Sequence, residues 1–224
     1  MTTPTWCARH RPGLVTGLRA EARIAQALGA VAAGGGSPAG ATRAAERLVA
    51  EGATALVSFG LCGGLDPALR SGALVVPRVV LTGDQRLRAD DAVSGMLGGY
   101  SAGALLAADD VVATQAAKRA LFEAGGAVAV DLESGMVALV AARHGLPFAV
   151  LRAVCDPADT TLPPAALLAL NPAGAIGAWR VAASVLAVPG QLPALLRLAR
   201  DAARARAALV RRVRDIGGRG RPVP

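Results

Sequence analysis

Residues 126–159 read GAVAVDLESGMVALVAARHGLPFAVLRAVCDPAD, and the order of apolar and acidic residues in this stretch decides the fold. An apolar run delivers Asp131, Leu132 and Glu133 to its end. A segment of helical character follows, and a second apolar run ends at Asp156. Apolar strands joined through a helix belong to an α/β sheet, where ligands bind at the carboxyl ends of the strands. Two such strands ending in acids therefore mark a candidate site. Taken singly, Glu133 and Asp156 also read as ordinary helix-capping or loop acids.

The same alternation extends in both directions, with short apolar runs bounded by Gly, Pro or Asp and longer Ala-rich segments between them. Strands are predicted over 13–16, 53–59, 73–81, 103–106, 127–132 and 148–154. Helices are predicted over 19–28, 41–51, 114–124, 134–144, 175–187 and 192–214. Residues 84–101, DQRLRADDAVSGMLGGYS, read as a surface loop or lid. Residues 54–76, TALVSFGLCGGLDPALRSGALVV, read as a buried strand running into a glycine-rich turn and returning as a second strand. Gly60, Gly63 and Gly64 would let a ligand approach the backbone, and a tight turn with no ligand explains them equally well. A dinucleotide fingerprint would open a long helix, whereas Asp66 and Pro67 follow here.

The chain has 224 residues, 53% of them hydrophobic and 18% charged, which excludes a disordered chain and fits a single globular domain. Its three cysteines, Cys7, Cys62 and Cys155, suggest neither a disulfide framework nor a zinc site. A reduced, cytoplasmic setting follows, and the N-terminal residues lack the apolar core of a signal peptide. The formal charge of +8 is concentrated after Leu192, where nine arginines face Asp201 and Asp215. Nucleic-acid binding would need basic residues spread over a face and interleaved with aromatics, which make up only 3% of the chain. With two histidines, no metal-ligand spacing is present, and no metal or organic cofactor is expected. Cys155 and His144 could suggest a thiol nucleophile and its base. A buried strand cysteine and a helix-terminal histidine account for them better.

The segments SFGLCGGL (58–65), RSGALVVP (70–77) and above all AVAVDLESGMVALVAARHGLPFAVLRAVCDPAD (127–159) resemble the nucleoside phosphorylase and nucleosidase superfamily, which includes the methylthioadenosine/S-adenosylhomocysteine nucleosidases. The resemblance spans about residues 13–188. It implies one catalytic domain over 1–190, with a central mixed β-sheet flanked by helices, and a basic C-terminal helix and tail over 191–224. It further implies a purine nucleoside substrate and favours a homo-oligomer. By the resemblance, Asp156 would protonate N7 of the purine as the glycosidic bond breaks, because a purine anion leaves poorly unless N7 is neutralised. Glu133 would hold the ribose hydroxyls, with Leu132 packed beneath the sugar and Asp131 beside it. Gly60, Leu61, Cys62 and Gly63 would line the substrate. Val111 and Val112 would flank the base, although plain strand core explains them equally well.

Glu21, in GLRAEARIA (17–25), stands near the glutamate that activates water in the nucleosidases, and Arg19 near the phosphate-binding arginine of the phosphorylases. Water and phosphate therefore both stand as nucleophiles, with phosphate as a candidate co-substrate. A surface salt bridge is the plain alternative for both residues. Leu61, the short stretch between Val80 and Asp131 and the basic extension also resemble the hopanoid-associated phosphorylases. That subgroup implies adenosylhopane as substrate, adenine and a ribosyl or phosphoribosyl hopane as products, and a role in hopanoid biosynthesis. The soluble alternatives are a methylthioadenosine nucleosidase and a purine nucleoside phosphorylase, and a third reading is a non-catalytic nucleoside-binding protein. Residues 192–214 read as a basic amphipathic helix. Leu192, Leu195, Leu196, Ala199, Ala203, Val210 and Val213 form its apolar stripe, suited either to an anionic membrane at the inner face or to packing on the domain.

Overall fold

The computed structural model describes residues 11–167 and 188–218. Its strands are β1 (Pro12–Thr16), β2 (Ala30–Ala33), β3 (Ala55–Gly64), β4 (Leu74–Val75), β5 (Pro77–Thr82), β6 (Gln85–Arg88), β7 (Ala102–Ala107), β8 (Ala129–Asp131) and β9 (Phe148–Asp156). Its helices are α1 (Arg19–Ala25), α2 (Pro38–Ala50), α3 (Asp91–Met96), α4 (Gln115–Gly125), α5 (Ser134–Arg143), α6 (Pro164–Leu167) and α7 (Leu192–Gly218). The strands form one mixed sheet in the order β2-β1-β3-β8-β7-β5-β6, with β9 paired to β3 and β4. The α/β domain with a central mixed sheet is as expected.

The long strand β3 organises the sheet. Along one edge it pairs in parallel with β9 from Leu56 to Gly63. Its other edge pairs with β1 from Ala55 to Ser58, then with β8, antiparallel, at Gly63 and Gly64. Between Ser58 and Gly63 the neighbour changes, and a crevice opens at the point where strand order switches, the usual place for a ligand in such sheets. The glycine-rich stretch expected to form a turn is therefore the second half of the strand itself.

Apolar layers cover both faces. On one, Ala41, Ala45 and Leu48 of α2 and Val137, Val140 and Ala141 of α5 pack against Val15, Leu56 and Val150. On the other, Ala25 of α1, Val93 of α3 and Ala205, Leu209, Val213 and Ile216 of α7 pack against Leu14, Val57 and Leu151. The face of α7 that docks is thus displaced from the predicted apolar stripe. Of that stripe, Val213 is buried, while Leu192 and Leu196 lie half-exposed on the first turns.

Three local expectations need correction. Residues 84–101 are not a free loop: they hold β6 and α3, whose N-cap Asp90 accepts a hydrogen bond from Val93 N at 2.8 Å. The single strand expected over 73–81 breaks at Val76, because β4 pairs with β9 whereas β5 pairs with β6 and β7. The edge strand β2 was not anticipated, being only four small residues long. The helix expected over 175–187 lies outside the described residues.

Close packing at the start of α5 sets the position of the preceding Glu133. A Cβ added to Gly135 would stand 2.8 Å from Ala107 Cβ and 2.8 Å from Thr82 Cβ, closer than carbon atoms approach. Gly135→Ala is expected to lower stability by about 1–3 kcal/mol, the usual cost of overpacking. Urea denaturation should show a lower midpoint with unchanged slope, and an unchanged midpoint would mean that α5 moves freely.

Candidate active site

A cleft of about 220 Å³ opens at the strand switch, lined from the end of β1 (Gly17, Leu18), α1 (Glu21), β3 (Leu61, Cys62, Gly63), the loop after β7 (Asp110, Val111, Val112), the end of β8 (Asp131, Leu132, Glu133) and β9 (Arg152, Cys155, Asp156). The structure therefore brings together Asp156, Glu21, Glu133, Leu132, Asp131, Val111, Val112, Leu61, Cys62 and Gly63. Gly60 stands just behind, where an added Cβ would lie 2.8 Å from both Arg152 Nη1 and Glu21 Cδ. Only a residue without a side chain lets these two groups meet across β3. Arg19 is exposed and does not line the cleft, because its place at the start of α1 directs it to solvent while Glu21 turns inward. A phosphate site built on Arg19 is not supported by that placement.

The centre of the site is Arg152, which was part of the recognised motif but was given no role from sequence. It is 1% exposed. Its Nε lies 2.7 Å from Asp131 Oδ2 and its Nη2 2.8 Å from Glu133 Oε2. Nη2 also donates to Ser58 Oγ at 2.6 Å, and Nη1 donates to the Leu61 carbonyl at 3.3 Å. Burial opposes its charge, yet the carboxylates of Asp131, Glu133 and Glu21 outweigh burial and hold it cationic above its ordinary range.

Asp131 is occupied on both oxygens. Oδ1 accepts from Glu133 N at 3.3 Å and Ser134 N at 3.1 Å, which caps α5, while Oδ2 meets Arg152 and the Ser134 hydroxyl. It lines the cleft as a support for Arg152 and α5. Glu21 acts as a capping glutamate on α1: Oε2 accepts from Leu18 N at 2.8 Å, and Oε1 accepts from Leu61 N at 3.0 Å across the sheet.

Three buried carboxyls thus surround one guanidinium, and burial raises the proton affinity of two of them, Glu133 and Glu21. Burial pushes Glu133 up to about 7, opposed by Arg152 and reinforced by Asp131 and Glu21. Glu21 is raised by burial too, against the pull of Arg152 and of its backbone donors. Glu133 can therefore exchange a proton near neutrality, as a general acid or base must.

Asp156 ends β9 at the opposite side of the cleft, 7% exposed. Its Oδ2 lies 2.8 Å from the ammonium of Lys118, a fully buried residue of α4 that sequence reasoning missed. Its Oδ1 accepts from the Cys155 thiol at 3.1 Å. Burial pushes the carboxyl up, and Lys118 works against that. Burial also raises the Cys155 and Cys62 thiols well above their ordinary values, which argues against a thiolate nucleophile. His144 pairs with Glu46 at 2.8 Å, away from the cleft. No group of His, Cys, Asp and Glu suited to a metal ion occurs among the described residues.

The phosphorylase superfamily model matches residues 27–96 and 99–186. The chain belongs to the phosphorylase superfamily. It is similar in fold to a Helicobacter pylori 5′-methylthioadenosine/S-adenosylhomocysteine nucleosidase complexed with a substituted pyrrolidinol: TM-score 0.68, 14% identity, 93% of this chain and 97% of that one covered. The futalosine hydrolase of Helicobacter pylori gives a TM-score of 0.64 at 16% identity, covering 91% and 97%. The S-adenosylhomocysteine nucleosidase of Streptococcus pyogenes, with 5-methylthiotubericidin, gives 0.61 at 18%, covering 67% and 85%. Comparison with curated protein sequences returns no match.

Removing Arg152 leaves three buried carboxyls without their counter-charge. Arg152→Met is expected to lose about 3–5 kcal/mol of stability at pH 8, the scale found when one partner of a buried ion pair is deleted. The loss should shrink at pH 5.5. Glu133 keeps its proton in the folded chain up to about pH 7 but releases it near 4.5 when unfolded. Its contribution to stability is therefore complete below about pH 4.5 and lost as pH rises through 7. Thermal melts of wild type and variant at both pH values test this, and a pH-independent difference would refute the shared-charge account.

Proposed function

We propose that the protein cleaves the N-glycosidic bond of a 5′-substituted adenosine, releasing adenine. The observation that carries this reading is the division of the cleft into two acid stations. Asp156, on its lysine, lies at one side, and Glu133 with Glu21, around Arg152, lies at the other. Cleavage of this bond needs proton donation to the leaving base and stabilisation of a cationic sugar, and the two stations supply them separately.

Asp156 donates a proton to N7 as the C1′–N9 electron pair passes to the base. Glu133 accepts hydrogen bonds from the ribose hydroxyls, and its negative charge favours the oxocarbenium-like sugar. Leu132 packs beneath the ribose, and Val111 and Val112 flank the base. Glu21 takes a proton from the nucleophile. Water suits that role better than phosphate, because Arg152, the one guanidinium lining the cleft among the described residues, is already neutralised by Asp131 and Glu133. A phosphate dianion would meet an anionic cluster instead.

The 5′ substituent in this reading is apolar, and adenosylhopane, implied by the likeness to hopanoid-associated phosphorylases, is the specific candidate. The product would be a ribosyl hopane, or a phosphoribosyl hopane if phosphate attacks. Two observations favour an apolar substituent over a soluble methylthioadenosine or purine nucleoside. Val111, at the cleft, is 45% exposed, and α7 leaves Leu192 and Leu196 uncovered beside Arg197 and Arg200. Such a surface suits an anionic membrane, where basic side chains contribute about 1 kcal/mol each. No helix among the described residues is long and apolar enough to cross one. The protein is proposed as cytoplasmic, peripheral at the inner face of the membrane and, on the family likeness, a homo-oligomer.

Adenine release should be seen with methylthioadenosine and more efficiently with a 5′-alkyl adenosine, inosine should release no hypoxanthine, and cleavage should not require phosphate. Asp156→Asn should lose about 10²-fold or more in turnover, with nucleoside binding much less affected. Binding without turnover in wild type would point instead to a nucleoside-binding protein, and phosphate-dependent release would restore the phosphorylase reading.

The membrane role has its own check in co-sedimentation with anionic liposomes at low salt. Wild type is expected to pellet, and a Leu192→Glu, Leu196→Glu double variant to stay in solution. Both substitutions fall on exposed turns, so the packed half of α7 is left intact. Wild type remaining in the supernatant would remove the membrane from the account.

A further inference from the structure

The described part of α4 buries one residue fully, and that residue is a lysine. An apolar side chain would fill such a position at lower cost, since an ammonium withdrawn from water must recover its hydration from the protein. Lys118 recovers it completely. Nζ lies 2.8 Å from Asp156 Oδ2 and 3.0 Å from each of the carbonyl oxygens of Asp156, Pro157 and Thr160. Four oxygens surround three N–H donors, so the charge is fixed in place and the loop after β9 is folded around it.

Other groups facing Asp156 carry no charge to rival it. The Cys155 thiol donates to Oδ1, and Cys62 approaches from β3. Gly63 leaves the carboxyl room, since a Cβ there would stand 3.1 Å from Oδ2. The Glu21, Asp131, Glu133 and Arg152 cluster lies at the other side of the cleft. With Oδ2 committed to the ammonium, Oδ1 is the oxygen left for a ligand.

We propose that Lys118 is a positioning residue for the acid chemistry of Asp156, fixing one oxygen of the carboxyl and stabilising the negative charge it gains when the other oxygen protonates the departing base. The inference rests on the glycosidic cleavage proposed above. In the balanced step, the C1′–N9 pair moves to the purine and the proton on Oδ1 moves to N7. Water adds to C1′ and yields its proton to Glu21. Asp156 is left as a carboxylate 2.8 Å from an ammonium. That attraction is stronger after proton transfer than before it, so it lowers the barrier and not merely the energy of the bound state.

Removing the cation should make Asp156 a weaker acid that keeps its proton to higher pH. Lys118→Met is expected to lower adenine release by about tenfold or more and to move the alkaline limb of the kcat profile up by about one pH unit. In an Asp156→Asn background the same change should cost less than about threefold, because residues acting through one another do not add. Lys118→Arg, which keeps the charge, should keep the wild-type limb even where its rate falls. Titration of ¹³C-labelled aspartate without substrate should show the upward movement of Asp156 in Lys118→Met and not in Lys118→Arg. Should the Met variant fail to fold, Lys118→Gln takes its place. An equal loss in both backgrounds, or an Asp156 titration that does not move when the charge is removed, overturns the proposal. Wild type that releases no adenine counts against the proposed function, while the aspartate titration still decides the Lys118–Asp156 coupling.

Discussion

A single guanidinium buried in the sheet is the constraint on which the rest depends. Arg152 stands in the middle of β9 among Leu151, Ala153 and Val154, all without solvent contact. Such a charge is tolerated only with close partners. The fold supplies them from three separate elements: Asp131 from β8, Glu133 from the start of α5 and Glu21 from α1. Each of these elements is tied to the site by the same ion cluster, so the cluster is both the centre of the proposed active site and a clamp on the sheet.

The clamp has a steric condition. Gly17, Gly60 and Gly63 lie where Glu133, Arg152 with Glu21, and Asp156 respectively come against the backbone. The glycines of β3 let β1 give way to β8 along one edge, and the acids occupy the space that side chains would have filled. Charge excess then follows from geometry. Three carboxyls taken out of water around one cation cannot all stay ionised at little cost: burial raises the proton affinity of Glu133 and Glu21, and at Glu133 the neighbouring carboxylates add to it. Asp156, on its own cation across the cleft, titrates in a different environment, which is how one site can hold an acid and a base together.

Much of this was legible in the sequence. Asp131, Glu133 and Asp156 sit at the ends of apolar strands, where position alone announces them, and the strand-helix-strand pattern of residues 126–159 fixes their shared side of the sheet. Glu21 was legible only through the resemblance. Arg152 carried a signal that went unused: a charge inside AVLRAV can persist in a buried strand only if acids meet it. Lys118 carried none, since one lysine in QAAKRALFEAG is what a solvent-facing helix also looks like. The strand β6, QRLR, has no alternation of burial to reveal it, and α3 is only six residues long. The docking face of α7 was misjudged because alanines dominate the helix, and Ala205 and Ala208 are core only by virtue of what they touch.

The central claim is that three buried carboxyls share one counter-charge and so leave Glu133 protonated through the acidic range. Carbon-13 NMR of the protein labelled at glutamate side-chain carboxyls, compared between wild type and Glu133→Gln, measures this directly. The account predicts one wild-type resonance titrating near pH 7 that vanishes in the variant. If every glutamate carboxyl in the folded protein instead titrated below about pH 5, close to the free side chain, the shared-charge account of the site would be contradicted.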